Sequence, residues 1–424
     1  MNTTSPVHVG LFGLFGGGNI GNDGSLEAML IYLRNEHPEA VLDVKCPGPK
    51  RVESIYGVAG TPMRWYTQYA QRTSGLTAAV LKSLGKGIDA VRTMSWVRQQ
   101  DVVIVPGTGI LENTLPLRPT GTPYELFLMC ASGKLFRKKV ALVSVGANRA
   151  KQPLTRWLFK SASQFATYRS YRDSQSRDAM SQAGLDTSQD DVYPDLAFSL
   201  ECPPNPSFDR RTVGVCVMAY SGSSDDRGQA DEIYTSYVEN MTLFVRWLVD
   251  TGHSVQMFWG DDVDETVAQA ILAALREWRP DLSASTVSAK PSASLGQLIQ
   301  QMAQVETVVG TRYHNVLCGV KLCKPTISIG YSAKHDALMA DAGLSEFCQS
   351  ARSVDVDKLI EQFTQLEQRS EEIQNLLAER NAPKAPELDR QFAALSSLLF
   401  PTPADAGKPA GPSDHVRSAN RQFV

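Results

Sequence analysis

The sequence predicts an α/β protein built of two Rossmann-like domains facing a cleft, with C-terminal helices and a disordered tail. Three observations lead there. Apolar strand-like runs alternate with helical stretches in two successive sets. A segment rich in proline and polar residues, from Glu201 to Thr212, separates the sets. Polar residues suited to ligands cluster just after the apolar runs, at strand ends, where open parallel sheets bind. With 424 residues, the chain is long enough for two full cores.

Taken in order, Val7–Phe15 is an apolar run, Ser25–Arg34 has helical periodicity, and Ala40–Val44 reads as a strand. Asp101–Val105, Val140–Val145 and Phe165–Tyr171 follow as strands. After the linker come strand Val213–Met218, a helix from about Glu232 to Val249 and strand Ser254–Trp259. Helices over Val263–Trp278 and Ser294–Met302 precede an apolar run, Val305–Val309, and a last strand, Pro325–Ile329. Residues 355–400 read as helices rich in Glu, Gln and Leu, and the tail after Phe400 as disordered. These readings set domains at 1–203 and 204–350, helices over 351–400 and a tail from 401 to 424.

A net charge of −3 gives no reason to expect a nucleic-acid partner. Seven widely spaced cysteines suit reduced, partly buried thiols in a cytoplasmic protein, not a disulfide framework or zinc cluster. The N-terminus lacks a basic n-region and reads as a first strand. No apolar stretch approaches the length of a membrane span. Residues 62–98 carry six Lys or Arg residues against the single acid Asp89, interleaved with Trp65, Tyr66, Tyr69 and Trp96. Such a basic amphipathic segment can lie on an anionic membrane, giving peripheral contact at its inner face, or it can cover the sheet or a second subunit.

Two segments carry the chemistry. The first is the glycine-rich start, Gly16 to Gly24, in which Gly16, Gly18 and Gly21 fit a dinucleotide fingerprint. The acid that fingerprint requires would be Asp43, which lies inside its strand instead of at its end. Asn19, Asn22 and Asp23 can hydrogen-bond sugar hydroxyls or cap a helix beginning near Ser25. The second is Gly310–Thr311–Arg312–Tyr313–His314–Asn315, followed after the next strand by Tyr331–Ser332–Ala333–Lys334. A guanidinium, an imidazole and an ammonium thus come from two adjacent strand ends beside a helix N-terminus. That is an anion site with its own acid–base group. Gly260–Glu265 is acidic, but it precedes a helix, and N-capping and pairing with the helix dipole account for most of these acids without a metal. Arg172 and Asp173 either cap the helix near Ser174 as an ion pair or line the cleft.

Six motifs, in order and at matching spacing, resemble the polysaccharide pyruvyl transferase family: GGGNIGNDGSLEAML (16–30), PGTGILEN (106–113), YRSYRDSQSRDAM (168–180), YPDLAFSL (193–200), GTRYHNVLCGV (310–320) and SIGYSAKHDALMADAGL (328–344). In two places the chain departs from the family: GN-DG stands where it has GD one residue later, and Thr108 stands where it has a glycine. The resemblance implies transfer of the pyruvyl group of phosphoenolpyruvate to two hydroxyls of one sugar, in a glycan or lipid-linked precursor. The products would be a cyclic ketal and phosphate, with no metal or other cofactor.

On this reading His314 is the acid, Arg312 the clamp for carboxylate or phosphate, and Asp195 the base for a sugar hydroxyl. Lys334 would neutralise the leaving phosphate, and His335 is a second candidate for the acid. Tyr331, Gly310, Thr311 and Arg172 would bind substrate. So would Gly18, Asn19, Gly21, Asn22 and Asp23 of the first loop, and Gly107, Gly109, Glu112 and Asn113 of the second. The acceptor is expected on the N-terminal domain and phosphoenolpyruvate on the C-terminal one. Two alternatives use the same cleft: a glycosyltransferase of GT-B architecture acting on a nucleotide sugar, and a non-catalytic glycan-binding subunit.

Overall fold

The computed structural model describes residues 6–65, 75–112, 119–204, 211–222 and 224–400, with the side chains of 75–83, 224, 225 and 227 left aside. Asn113, the tail after Phe400 and part of the 62–98 segment therefore lie outside the described residues.

The first set of elements is β1 (His8–Phe12), α1 (Ile20–Glu36), β2 (Val41–Cys46), α2 (Pro49–Tyr56), β3 (Ala59–Pro62), α3 (Gly75–Gln99), β4 (Val102–Pro106), α4 (Thr122–Leu135), β5 (Lys139–Val145), α5 (Pro153–Phe165), β6 (Tyr168–Tyr171), α6 (Ser174–Gln182) and β7 (Asp191–Val192). Its seven strands pair in the order β3-β2-β1-β4-β5-β6-β7, all parallel. The second set is β8 (Thr212–Val217), α7 (Ala230–Asp250), β9 (Ser254–Trp259), α8 (Glu265–Trp278), β10 (Val287–Ala289), α9 (Leu295–Met302), β11 (Thr307–Gly310), α10 (Tyr313–Lys321), β12 (Thr326–Gly330), α11 (Ala333–Asp341) and β13 (Cys348–Ser350). Six parallel strands run β10-β9-β8-β11-β12-β13. Both orders reverse direction at one point, between β1 and β4 and between β8 and β11. Loops diverging from such a switch point open a crevice at the carboxyl ends of the strands.

The strands at both switch points are buried almost throughout, which explains their near-continuous apolar sequence. One core packs α3, α4 and α5 against a face of the first sheet. A larger one runs without a break from the opposite face through α1 and Leu196–Leu200 into the second domain. Three more helices follow: α12 (Val356–Gln368), α13 (Ser370–Asn381) and α14 (Lys384–Leu399). The last of these returns to the first domain, where Phe392 stacks on Tyr32 at 4.5 Å between ring centroids. Gln391, fully buried there, bonds Ser144, Ser170 and Tyr168. His37, unpartnered in the sequence, bonds Ser396 and Tyr32 and stacks on Phe400.

Three local expectations need correction. The first helix starts at Ile20, not near Ser25, and contains Gly21 and Gly24. Glycine lowers helix propensity, but both positions lie where the second domain presses closest. A Cβ on Gly21 would sit 2.1 Å from His314 Nδ1, and one on Gly24 2.2 Å from Leu295 Cδ2. Phe165 closes helix α5 and does not open a strand. The acids at 261–265 make no side-chain cap; Asp264 and Asp262 pair instead with Arg312 and Arg51.

Candidate active site

The loops after β1, β4, β8 and β11 meet in one cavity of about 470 Å³ between the domains. Ile20 N–H donates to Gly260 O at 3.0 Å across the gap. Glu27 accepts from Gly296 N at 3.1 Å and Ser294 Oγ at 3.3 Å, and Lys334 Nζ donates to Glu112 at 3.1 Å.

At the end of β11, Thr311 Oγ1 donates to Cys216 O at 3.0 Å, tying the turn to β8. Arg312 then takes an extended conformation and α10 begins without a side-chain cap. The guanidinium of Arg312 holds Asp264 in two parallel bonds of 2.8 and 2.7 Å, and Asp264 is completely buried. Arg312 therefore lines the cavity while already committed to a carboxylate of its own domain.

His314 projects across the gap onto Gly21. Its Nε2 is buried with no hydrogen-bond partner and lies 3.8 Å from Asp195 Oδ2. Burial lowers its pKa to about 4, with the cations Arg172 and Lys334 adding to the effect and Asp195 opposing it. The imidazole is thus neutral at neutral pH. Asp195, expected to reach a sugar hydroxyl, lies behind His314 and outside the cavity wall. Its Oδ1 accepts from Ala197 N at 3.0 Å and its Oδ2 from Arg172 at 3.4 Å. The carboxylate expected to act as base therefore faces His314 and Arg172 and not the cavity.

Arg172 and Asp173 form the ion pair read from the sequence, at 3.6 Å, and also fill both of the places considered for them. Asp173 caps α6 by accepting from Ser176 N at 2.6 Å, while Arg172 enters the cavity wall, nearly inaccessible, and pairs with Glu112 and Asp195. Its guanidinium lies 4.6 Å from the centroid of the Tyr313 ring, and Lys334 Nζ lies 5.5 Å from the same ring. Burial would raise the Glu112 carboxyl, but Arg172 and Lys334 overcome it and hold its pKa below the ordinary value. Glu112 is charged and bridges one cation from each domain. Like α10, α11 opens onto the cavity without a side-chain cap, at Ser332. Two helix N-termini therefore aim their dipoles at the same space.

The cavity wall includes Asn19, Gly21, Asn22, Gly109 and Tyr331, as the sequence suggested. Asn19 caps α1 through bonds from Gly21 N and Asn22 N at 3.1 and 3.3 Å. Gly18, Asp23, Gly107, Gly310 and Thr311 are placed behind that wall. Asp23 fastens the glycine turn by accepting from Gly16 N at 2.7 Å, and burial pushes its pKa up to about 6. Asp43 accepts from Thr61 and Trp96 within the sheet, so no acid completes a dinucleotide fingerprint. Thr108, in the family's glycine position, is buried at φ 61°, a conformation that costs a side-chain-bearing residue roughly 1–2 kcal/mol.

His335 is sealed from the cavity. Its Nε2 reaches Thr311 O at 3.2 Å and its Nδ1 reaches Ser332 Oγ at 3.1 Å. Nδ1 also lies 3.2 Å from Ser332 O, so each ring nitrogen faces a backbone carbonyl. The ring braces the ends of β11 and β12, and burial takes its pKa down to about 3. Among the described residues no three His, Cys, Asp or Glu side chains come together in a metal-binding group.

The sequence reading passed over Tyr313, Asn315 and the segment Met218–Gly222, all of which line the cavity. Asn315 is fully buried, and apart from the Cys216 thiol beside it neither polar atom of its amide finds a hydrogen-bond partner. Met218–Gly222 leaves β8, a switch-point strand, and the rule applied to β11 would have found it.

Fold and site together define a two-domain α/β protein of GT-B architecture with a polar, cation-bearing interdomain cavity. A family model for polysaccharide pyruvyl transferases matches residues 19–333, and the chain belongs to that family. No curated protein matches it in sequence. Among solved structures it is similar to a UDP-N-acetylglucosamine 2-epimerase at TM-score 0.60 and 12% identity, over 98% of this chain and 100% of that one. It is similar to the UDP-GlcNAc 2-epimerase of Neisseria meningitidis bound to UDP-GlcNAc at TM-score 0.56 and 11% identity, covering 92% and 99%. Anabaena Alr3699/HepE in complex with UDP and glucose gives TM-score 0.53 and 11% identity over 91% and 99%. At these identities the likeness is one of fold.

Proposed function

We propose that the interdomain cavity transfers the pyruvyl group of phosphoenolpyruvate to two hydroxyls of one sugar in a polysaccharide or its lipid-linked precursor. The observation that carries this reading is His314, a neutral imidazole held against the opposite domain between Arg172, Lys334 and two uncapped helix N-termini. Phosphoenolpyruvate carries a carboxylate and a phosphate, and those N-termini with Lys334 suit both groups. The charge it brings raises the His314 pKa, and Asp195 at 3.8 Å stabilises the imidazolium. The acid is therefore made when the donor binds.

His314 then protonates the methylene carbon of the enol, and the first sugar hydroxyl adds to the adjacent carbon, passing its proton to the imidazole. The bond to the phosphate oxygen breaks, with Lys334 countering the departing charge. The second hydroxyl closes the ring, and its proton leaves with phosphate. Over the turnover the imidazole gives one proton to the new methyl group and recovers one from the first hydroxyl, while the second hydroxyl's proton leaves on phosphate. Arg312 and Asp264 hold the turn that positions His314, and Glu112 keeps Arg172 and Lys334 in place.

The test is incubation with phosphoenolpyruvate and candidate glycans, reading phosphate release and the mass of an added pyruvate ketal. Acceptor-dependent phosphate with a ketal product supports the reading. Nucleotide diphosphate released from a nucleotide sugar, with no ketal formed, would replace it by glycosyl transfer. Turnover of neither, despite glycan binding, would leave a binding subunit.

A further inference from the structure

The outer surface of the α3–α4–α5 layer differs in kind from an ordinary solvated helical face. The three helices lie side by side over one face of the first sheet. Leu84 and Val91 of α3, Leu135 of α4, and Leu154 and Trp157 of α5 are each more than half exposed. Leu84, Ile88 and Val91 fall at i, i+4 and i+7, which puts them on one face of their helix. The Trp157 indole is braced against Phe127, ring centroids 5.2 Å apart, so it is held outward.

Charge is segregated in the same place. Lys134 and Arg156 are exposed next to Leu135 and Trp157. The acids on these helices, Asp89 and Glu125, are both buried, the first accepting from Trp65 N and the second pairing with Arg64 and Lys86. No carboxylate from the described residues of the three helices reaches their outer surface. From the start of α4 to the end of α5, residues 122–165, the chain has eight Lys and Arg residues and one acid, Glu125, although its net charge is −3. A solvated helix mixes signs, and protein interfaces are depleted in lysine. Apolar side chains among cations, with the exposed Asp101 beyond the end of α3 paired to Lys138, match the headgroup region of an anionic bilayer. There the apolar groups enter the acyl boundary and the cations reach the phosphates.

We propose that the α3–α4–α5 face docks the protein on an anionic phospholipid surface. The first residue of α4, Thr122, lines the catalytic cavity, so one helix connects the docking face with the site. A lipid-linked acceptor would then be met at the bilayer. That consequence rests on the transferase reading, whereas docking rests on the surface alone.

The test is co-sedimentation of the full chain with phosphatidylglycerol-containing vesicles and with pure phosphatidylcholine vesicles, in the absence of phosphoenolpyruvate and acceptor. Binding is expected to the anionic vesicles alone, weakening about tenfold as ionic strength rises from about 0.05 to about 0.5 M. The variants K134E/R156E and L154S/W157S should each lose about tenfold in binding while keeping the thermal transition of the parent. Absent binding, equal binding to neutral vesicles, or binding indifferent to both variants overturns the proposal. So does a self-association in sedimentation equilibrium that L154S/W157S abolishes, which would assign the face to a second copy of the chain. Because no substrate is present, a failed transferase reading leaves this result intact, and the reverse also holds.

Discussion

His314 lies against two residues of the opposite domain. Asp195 Oδ2 stands 3.8 Å from its Nε2, and Gly21 leaves the space its ring occupies. His314→Ala should abolish phosphate release, by roughly a thousandfold or more, while leaving the melting temperature within a few degrees of the parent. Near-normal turnover in a folded variant would remove histidine from the acid role. Arg312 is a different case. It was expected to hold substrate, and its ion pair with the fully buried Asp264 gives it a structural load as well. Arg312→Ala leaves a buried carboxylate without its counter-charge, at a cost of roughly 3–5 kcal/mol. The variant should therefore melt early in addition to losing turnover. A variant as stable as the parent would show that Asp264 finds another partner.

Among elements, α1 matters most for the site. It begins at the switch point of the first sheet and ends its approach on the second domain, with Gly21 and Gly24 as the points of contact. Gly21→Ala improves intrinsic helix propensity by about 1 kcal/mol, yet its Cβ would occupy the space of His314 Nδ1, 2.1 Å away. Displacing a catalytic group by an ångström costs about a hundredfold in rate. The expected outcome is an intact helix by circular dichroism with turnover down by that order, and an active Gly21→Ala protein would show that the contact is dispensable. The ends of β11 and β12 are fixed similarly, by Thr311 and by His335 beneath them.

For the whole molecule, stability depends on pH through groups buried in the interdomain region. His314 and His335 have folded pKa values of about 4 and about 3, below the value near 6.5 expected when unfolded. They bind fewer protons folded than unfolded, so the stability associated with them is complete above about pH 6.5 and is lost as the pH falls towards those lower values. Asp23, raised to about 6, acts in the opposite sense: its contribution holds at low pH and is lost as pH rises through about 6. Glu27 and Asp261, raised by burial, act with Asp23, and Glu112 acts with the histidines; the two large histidine shifts should make the melting temperature fall between pH 6.5 and 4.5. His335→Gln, which keeps a donor for Thr311, should flatten that slope; an unchanged slope would place the titration elsewhere. The return of α14 to the first domain also concerns the whole molecule. Gln391→Ala leaves the buried Ser144 hydroxyl without its acceptor and removes one bond each from Ser170 and Tyr168. The expected loss is roughly 2–3 kcal/mol, read by denaturant unfolding.

The sequence by itself determined the α/β class, the family, and most of the side chains that meet in the cavity. Strands buried on both faces must be apolar runs, and ligand groups must follow them, so both signals are local. His314, Arg172, Glu112 and Lys334 were legible because each stands just beyond such a run. Edge strands such as β7 and β13 were not, since two or three partly exposed residues leave no run to detect. Nor was the start of α1, where two glycines hide a helix for reasons lying in the other domain. Which carboxylate each cation would meet was also hidden. Tertiary structure alone decided that Asp264 holds Arg312, that Glu112 bridges Arg172 and Lys334, and that Asp195 stands behind His314. Each of these pairs joins segments separated by tens to hundreds of residues in the chain. Pairing across such distances is fixed by how two sheets and their loops close on each other, a geometry that no local pattern of residues encodes.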